Sequence, residues 1–514
     1  MSDKKPSRFW GETTAFLALF LDNAGVLIFL NAILVFTFNF PADIVLTHMI
    51  PGTAIGVFMG DLVYTWMAVR LMRKTGRADV TAMPLGLDTP STIGIAYAVL
   101  GPTYIATRDP ILTWHVGMVT LFMIGVVKIF ASFIGGWIQR NIPTAGLLGS
   151  IGGVGLMLLG FLPMIEIFNE AIVGLAALGL IFAALYSRLQ FPGRIHGVVA
   201  ALLVGAGIHF ALGWGGYLPE VQPPSWDLHL CLPVFSLDFF RILPQSLQYL
   251  PLAIPFGILT IIGGINNTES ARLAGDSYRP RDILMTEAVT SLVSAFFGGV
   301  AQTTPYIGHP AYKKMGATWR YTLATGLLVG AGSLVGLMSL VVSLVPRAVI
   351  APIFLFVGFE IVHQAYRESP QAHSPAVSLS MLPVVASLVT ILLGQFLAAL
   401  NIPAHQLPQR LQQLYQTLNL LANGFILTGL LWGSLLAFLI DHKAKLAGLC
   451  AAVCGVLTLF GVIHSALPTG ELYLPWQAAG GAHYQLALAY GILSVILLIL
   501  TGRTDKEKHS PEGG

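Results

Sequence analysis

Long apolar stretches recur along almost the whole chain and are separated only by short polar joints. A helix that crosses a bilayer needs about 20 mostly apolar residues, because the hydrocarbon core is roughly 30 Å thick. Only 10% of the 514 residues are charged, against roughly 25% in an ordinary soluble domain. The sequence therefore predicts an all-α integral membrane protein without a sizeable soluble domain.

The apolar stretches form two series of seven predicted spans. The first series lies near 13–37, 46–70, 81–99, 112–136, 143–163, 167–187 and 194–213. The second lies near 248–271, 284–300, 302–317, 320–344, 348–366, 378–398 and 420–440. Two extra C-terminal helices near 446–465 and 484–501 bring the count to sixteen. Because seven is odd, the second series enters the membrane upside down, and inverted repeats are common in secondary transporters.

The predicted organisation follows from these series. It comprises a first inverted repeat at 1–213, an external connection at 214–246, a second repeat at 247–440, extra helices at 441–501 and a tail at 502–514. The connection is rich in proline and carries the charged residues Glu220, Asp227, Asp238 and Arg241. The tail is short and charged, so we expect it to be disordered.

The cationic residues lie at the ends of apolar runs rather than on one polar face, and the net charge is only +3. We therefore expect no nucleic-acid partner. If Lys4, Lys5 and Arg8 are cytoplasmic, the span count places most other cations in cytoplasmic loops, as the positive-inside rule requires. The sequence thus predicts a multi-pass protein of the plasma membrane with both termini cytoplasmic.

Two spans at equivalent positions contain helix-breaking residues. The third span carries ADVTAMPLGLDTPST, and the tenth carries VAQTTPYIGHPAYKK. Proline and glycine interrupt a helix, and exposed backbone at membrane depth is tolerated only inside protein or beside a wet cavity. We expect both spans to be part extended and part helical, with half-helix N-termini directed at a polar ligand. The alternative is a pair of proline kinks that only aid packing.

Ionisable residues inside predicted spans are the next candidates, since burying one is costly. Asp88 lies within the first break, and Glu269 lies in the eighth span. We predict that both are coupling groups that carry a proton or face a cation. Glu269 could instead lie at the membrane surface and pair with Arg272, and Asp61 could be an ordinary buried hydrogen-bonding acid. Other polar residues in the spans are Asp22, Asn23, Asn31, Glu360 and His363.

Motifs for catalysis are missing from the sequence. It contains neither a P-loop nor an H-E-x-x-H motif, so we expect neither an ATP-driven pump nor an intramembrane metalloprotease. The three cysteines show no ligand spacing and are interpreted as packing residues. We therefore expect no enzyme activity, cofactor or metal.

Two stretches resemble the nucleobase cation symporter family (xanthine/uracil permeases), particularly its purine branch. They are GDLVYTWMAVRLMRKTGRADVTAMPLGLDTPS and INNTESARLAGDSYRPRDILMTEAVTSLVSAFFGGVAQTTPY. Pro84 and the run Gly86-Leu87-Asp88 stand where that branch has Pro and Gly-Leu-Asn. The Thr-rich break is matched by Phe297, Gly298, Gly299, Thr303, Thr304 and Tyr306. The resemblance implies a core of spans one to four and eight to eleven, a gate made of the other spans, and a possible homodimer through the gate.

The resemblance also implies site residues, with two departures. Where the family has an acid in the eighth span, this chain has Asn267 with Glu269 two residues later, and at the second acidic position it has Gly308 with His309 beside it. The predicted substrate-binding residues are Asp88, Thr89, Asn267, Glu269, Thr303, Thr304, Tyr306 and His309.

The leading functional hypothesis is a proton- or sodium-coupled symporter of a purine-like nucleobase or a similar small polar solute, working by an elevator motion of the core. An anion transporter for sulfate, bicarbonate or carboxylate on the same fold remains an alternative. A non-transporting membrane sensor or enzyme is a third.

Overall fold

The computed structural model describes residues 8–187, 189, 197–218, 230–306, 308–337, 340, 345–400, 402–467, 470–477 and 481–507. Helices make up most of these residues, and the predicted all-α membrane fold is confirmed. Lys4, Lys5, Glu220 and Asp227, on which parts of the topology prediction rest, lie outside the described residues, as do 508–514.

The helices follow the apolar runs of the sequence. In the first half they are α1 (Arg8–Asn31), α2 (Ala42–Ile44), α3 (Ile50–Thr75), α4 (Thr89–Ile95), α5 (Gly101–Thr107), α6 (Pro110–Asn141), α7 (Thr144–Val154), α8 (Leu162–Asn169), α9 (Ala171–Leu185) and α10 (Gly197–Trp214). Next come α11 (Leu243–Ser246), α12 (Leu250–Leu273), α13 (Pro280–Phe296), α14 (His309–Met315) and α15 (Arg320–Leu334). The last are α16 (Arg347–Arg367), α17 (Ser374–Ala399), α18 (Gln409–Ala422), α19 (Phe425–Ile440), α20 (Ala444–Leu459) and α21 (Ala482–Glu507).

Short π-helical and 3₁₀ segments join several of these helices. The π-helical segments are Ala32–Thr37, Val45–Met49, Ala96–Leu100 and Gly155–Phe161. The 3₁₀ segments are Asp238–Ile242, Leu247–Tyr249, Gln371–His373 and Ala404–Gln406.

Within the described residues, eight helical stretches are long and apolar enough to cross a membrane. A ninth is gained if α18 and α19, which meet at an angle of 72°, form one bent span. The chain is therefore a multi-pass membrane protein. The predicted sixteen spans also include shorter apolar helices such as α9 and α20, so that count stays a prediction.

Two short strands interrupt the helices. Strand β1 (Leu85–Leu87) pairs antiparallel with β2 (Thr303–Pro305), and Gly86 lies opposite Thr304. Pro84 precedes β1 and Pro305 is the last residue of β2. The residue before a proline avoids the helical conformation, which stops helix formation at Met83 and Thr304. The predicted breaks in the third and tenth spans are therefore confirmed.

One compact unit contains the sheet and comprises residues 1–135, 160–243 and 256–356. Within it α3 packs against α13 and α15, and α1 packs against α15. Gly52 of α3 permits close approach to the segment before β2, since a Cβ there would overlap the backbone of 297–299. Predicted spans six and seven, which the resemblance assigned to the gate, also belong to this unit.

The second unit comprises residues 136–159, 244–255 and 357–514. Its helices α7, α17 and α19 meet at small residues: a Cβ on Gly149 would overlap the Ser380 hydroxyl, and one on Gly429 would overlap the Ser380 carbonyl. Small residues at such contacts let membrane helices approach closely. The predicted extra helices form a packed pair, α20 and α21. Helix α21 extends to Glu507, and the disorder of the tail stays a prediction.

Candidate functional site

The outer edge of β1 is bonded by an asparagine of α1. Asn23 Oδ1 accepts a hydrogen bond from the Leu87 N–H at 3.0 Å, and Asn23 Nδ2 donates to the Leu85 carbonyl at 3.5 Å. Asn23 is fully buried. An unbonded backbone group at membrane depth costs several kcal/mol. One amide side chain thus takes the place of a neighbouring strand.

The outer edge of β2 is bonded by three different helices. The Thr303 N–H donates to Ser291 Oγ of α13 at 3.2 Å, and the Thr303 carbonyl accepts from Lys128 Nζ of α6 at 2.6 Å. Asn267 Nδ2 of α12 donates to the Pro305 carbonyl at 2.7 Å. Pro305 has no N–H, so these three bonds satisfy the edge.

Backbone and side-chain bonds close both ends of the sheet. The Asp88 N–H donates to the Gln302 carbonyl at 2.9 Å, and the Tyr306 N–H donates to the Pro84 carbonyl at 2.8 Å. Asp88 Oδ2 then caps α4 by accepting from the Ser91 N–H at 3.0 Å, and it also accepts from Gln302 Nε2 at 3.2 Å. Gln302 Oε1 is buried with no hydrogen-bond partner among the described residues.

Two helices begin at the sheet and leave it in opposite directions, because the strands are antiparallel. Helix α4 follows β1 directly and continues through Ala96–Leu100 into α5. Helix α14 begins four residues after β2 ends. The N-terminal end of a helix carries a partial positive charge. The positive end of α4 therefore lies at the sheet, with Asp88 as its cap, whereas α14 begins at His309, beyond the sheet.

Four carboxylates border the sheet. Asp61, Asp88 and Glu287 are buried, and Asp22 Oδ1 accepts a hydrogen bond from the Tyr306 hydroxyl at 3.3 Å. Both carboxylate oxygens of Asp61 are shielded from solvent without meeting hydrogen-bond geometry among the described residues. Acidic side chains thus outnumber basic ones around the sheet.

Lys128 is the one buried Lys or Arg in the described part of the chain. Its Nζ lies 3.5 Å from Glu287 Oε2, and both side chains are 0% exposed. A charge-assisted hydrogen bond measures about 2.7–2.9 Å, so the pair is close but loose. The shorter bond of Lys128 goes to the Thr303 carbonyl of β2.

A second polar cluster lies at one end of the broken segments, outside the long spans. The buried Asp276 carboxylate accepts from the Thr81 N–H at 3.0 Å and from Lys313 Nζ at 2.7 Å, and His309 Nε2 lies at 3.3 Å. Arg77 Nη2 lies 3.4 Å from the same carboxylate. Burial raises the pKa of Asp276, but the hydrogen bonds from His309, Lys313 and Thr81 together lower it by more than burial raises it. The pKa therefore lies below its usual value. This cluster ties the segment before β1 to the helix after β2.

The structure brings together most of the predicted site residues. Asp88, Thr303, Thr304, Asn267 and Tyr306 all lie in the sheet or bond to it, and Thr89 is the first residue of α4. Their roles in binding a substrate remain predictions.

Two predicted residues lie elsewhere. The Glu269 side chain is 51% exposed and forms two hydrogen bonds with Arg272, at 2.5 and 2.7 Å, which is the alternative that the sequence left open. An exposed, paired carboxylate does not have the burial on which the coupling role was predicted. His309 is fully buried, but its ring contacts Thr81 and Asp276 in the second cluster.

Sequence reasoning missed Lys128, Glu287 and Ser291. Lys128 could have been found as a single lysine inside the apolar span 112–136. Glu287 falls near the predicted start of the ninth span, where an acid at the membrane surface is unremarkable. Only the packing of α13 against the sheet shows that it is buried.

No protein-family model and no curated protein sequence matches the chain. Similarity is found among solved structures. The transmembrane domain of a cyanobacterium bicarbonate transporter, BicA, aligns at 19% identity and a TM-score of 0.47, covering 78% of this chain and 98% of that one. SLC26A9 aligns at 12% identity and a TM-score of 0.48, covering 77% and 66%. The murine Solute Carrier 26 family member A9 anion transporter, in the inward-facing state, aligns at 13% identity and a TM-score of 0.47, covering 76% and 66%.

The predicted resemblance to the nucleobase cation symporter family is wrong. Solved structures to which the chain is similar include a bicarbonate transporter and a Solute Carrier 26 anion transporter. The two motif stretches that suggested the resemblance contain the two broken segments of this chain, and a proline- and glycine-rich break is not specific to one family. At identities of 12–19% the likeness concerns the fold alone.

Proposed function

We propose that this protein is a secondary transporter that binds a small anion at the β1–β2 sheet and moves it together with a cation. The single observation that carries the proposal is Lys128, a fully buried cation bonded to the Thr303 carbonyl of a broken span. A buried charge is expensive and, inside a membrane protein, usually serves a substrate or ion path.

Transport is supported by the broken helices themselves. Extended backbone at membrane depth is tolerated only inside protein or beside a cavity, and paired broken helices are typical of transporter sites. The side chains that bond both strand edges, Asn23 and Lys128 among them, keep this backbone satisfied without a third strand. These bonds thus stabilise the strand register in which Gly86 lies opposite Thr304, and they favour the extended backbone over a helix.

An anionic cargo is supported by the positive groups. The N-terminal end of α4 and the Lys128 ammonium are the positive features beside the sheet. Backbone N–H groups at a helix start, together with one cation, are a common way to bind a small anion.

Coupling to a cation is supported by the negative groups. Four carboxylates border the sheet, namely Asp22, Asp61, Asp88 and Glu287, against one lysine. Where these carboxyl groups are ionised, an entering anion is repelled unless a proton or a metal cation accompanies it. The proposal therefore keeps the coupling and replaces the nucleobase by an anion.

Orientation, location and assembly complete the proposal. We place both termini in the cytoplasm, because that orientation puts most cations of the short loops inside. We also place the protein in the plasma membrane. A homodimer through the second unit is part of the same proposal.

The test is uptake into proteoliposomes that contain the purified protein. Sulfate, chloride, formate and bicarbonate are each offered with and without an inward proton or sodium gradient. Bicarbonate is included because one of the similar solved structures is that of a bicarbonate transporter. The proposal predicts uptake of at least one anion that is faster with a cation gradient. If no anion enters, the result favours the sensor or enzyme alternative. Adenine and uracil are offered in parallel, and uptake of these bases alone would contradict an anionic substrate.

A further inference from the structure

Lys128 lies closer to the Thr303 carbonyl than to its ion-pair partner Glu287. Lys128 Nζ makes its short bond, 2.6 Å, to the Thr303 carbonyl and lies 3.5 Å from Glu287 Oε2. Neither carboxylate oxygen of Glu287 meets hydrogen-bond geometry among the described residues, although the whole side chain is buried. A buried carboxylate with one cation at 3.5 Å and no hydrogen bond of good geometry is poorly stabilised as an anion.

The groups around Glu287 come from each neighbouring element. Lys128 of α6 attracts the ionised carboxylate, and Asp88 at the start of α4 repels it. The Thr304 side chain of β2 lies near it. Tyr64 of α3 also lies near Glu287, and the Tyr64 hydroxyl donates to the Ile283 carbonyl at 3.1 Å. On the α12 side Gly264 lies close to Glu287, since a Cβ added at that position would lie 3.3 Å from Glu287 Oε1. Lys128 is thus the only cation that faces this carboxylate among the described residues.

Asp88 does not compensate Lys128 in the same way. Its carboxylate already accepts from the Ser91 N–H and from Gln302 Nε2, and it caps the positive end of α4. The charge near β2 is therefore decided by the protonation of Glu287.

We propose that Glu287 is the residue that carries the coupling proton and that Lys128 is the residue that attracts the anion, with the ion pair between them as the switch. This inference rests on the proposed function. When Glu287 is ionised, it neutralises Lys128 and the site near Thr303 has no affinity for an anion. When a proton binds the Glu287 carboxylate, Lys128 keeps its charge without a partner and binds the anion.

The charges balance over one transport cycle. One proton and one monovalent anion enter together, so the loaded site has the same net charge as the empty, ionised pair. On the far side the anion leaves Lys128, the proton leaves Glu287, and the pair forms again. No oxidant, metal or covalent step is required.

The experiment measures equilibrium binding of labelled sulfate, chloride and formate to purified full-length protein in nanodiscs at several pH values. Wild type is compared with Glu287→Gln, Lys128→Met and Lys128→Arg. The matched control is Glu368→Gln, which removes an exposed glutamate paired with Arg367. Each variant is accepted for binding only after size-exclusion chromatography and a thermal melt show folded protein.

The inference predicts that wild-type affinity falls as pH rises, by about tenfold per pH unit above the pKa of the switch. Glu287→Gln, which mimics the protonated acid, binds with the affinity of wild type at low pH and shows no pH dependence. Lys128→Met loses binding at every pH, Lys128→Arg retains part of it, and Glu368→Gln behaves as wild type.

Two results overturn the inference in distinguishable ways. If wild type binds an anion and Glu287→Gln keeps the same pH dependence, Glu287 is not the switch, and the proposed function stands. If wild type binds none of the three anions and takes up no bicarbonate, the proposed function fails as well. Should Glu287→Gln not fold, Glu287→Asp replaces it: a displaced midpoint of the pH dependence supports the switch, and an unchanged midpoint contradicts it.

Discussion

Strands β1 and β2 have nearly the same backbone but different chemistry at their outer edges. Both are three residues long, and both are followed by a short helix. The edge of β1 is bonded by the neutral amide of Asn23, whereas the edge of β2 is bonded by the Lys128 ammonium with Glu287 beside it. The comparison teaches that the two broken segments share a backbone geometry, while the buried charge pair lies beside the second strand.

The largest expected effect comes from breaking the charge pair on the β2 side. Lys128→Met leaves Glu287 buried without its cation and should lower the free energy of unfolding by about 3–5 kcal/mol. The double variant Lys128→Met/Glu287→Gln removes both charges and should recover most of that stability. Thermal melts in detergent measure both. Equal destabilisation of the single and double variants would show that the two side chains do not interact.

The next prediction tests the close contact between Gly52 of α3 and the backbone segment before β2. Gly52→Ala should lower stability by about 1–3 kcal/mol, because a Cβ would overlap the backbone of 297–299. Gly263→Ala is the matched control, since nothing lies within 4 Å of a Cβ at that helical position. The melting temperatures of the two variants are compared, and a loss of equal size in both would refute the close contact.

Much of this arrangement could be predicted from the sequence. The prolines and glycines of the two broken spans predict extended backbone at matched positions, and Asn23 is visible as a polar residue in an apolar run. The partner of each polar group could not be predicted, because Lys128 and Thr303 are 175 residues apart in the chain. Periodicity places a residue on a helix but does not show which strand that helix packs against.

Glu269 and Glu287 illustrate the same limit. Both are acids close to an end of a predicted span, and both have a cation within reach in the structure. Helical spacing reveals the Glu269–Arg272 pair, since residues three apart share a face. Burial of Glu287 depends on tertiary packing against β2, which leaves no local pattern in the sequence.

A smaller effect compares the two asparagines at the strand edges. Asn23→Ala leaves the buried Leu87 N–H without its acceptor and should cost about 1–3 kcal/mol. Asn267→Ala removes a donor from one carbonyl, that of Pro305, and should cost less, because an under-bonded carbonyl is better tolerated than an orphaned N–H. Melting temperatures that rank the two variants in the opposite order would contradict the edge-bonding account.

The pH dependence of stability tests the cluster that joins the two broken segments. The pKa of Asp276 lies below its usual value, so the unfolded chain takes up its proton first as pH falls. The stabilisation is therefore present at neutral pH and is lost below about pH 4, as pH passes through the folded-state pKa. Asp276→Asn should melt below wild type at neutral pH, with the gap narrowing in acid. A gap that widens in acid would reverse the sign and reject this assignment.

The smallest expected effect concerns Glu269. Glu269→Gln removes one side of an exposed ion pair and should change stability by less than about 1 kcal/mol. Its anion uptake should keep the pH dependence of wild type. Loss of that pH dependence in proteoliposomes would show that Glu269 of the eighth span carries the coupling proton, contrary to the assignment of Glu287.

The most direct test of the central claim is protection of the sheet by its cargo. Thr304→Cys is made in a background in which Cys231, Cys450 and Cys454 are replaced by serine, and its modification by a small thiol reagent is timed with and without the transported anion. Thr107→Cys, at the end of α5, is the control. The account predicts that the anion slows modification at position 304 in step with its occupancy and leaves position 107 unchanged. Equal rates at position 304 with and without a saturating anion, in a variant that still transports it, would place the binding site elsewhere.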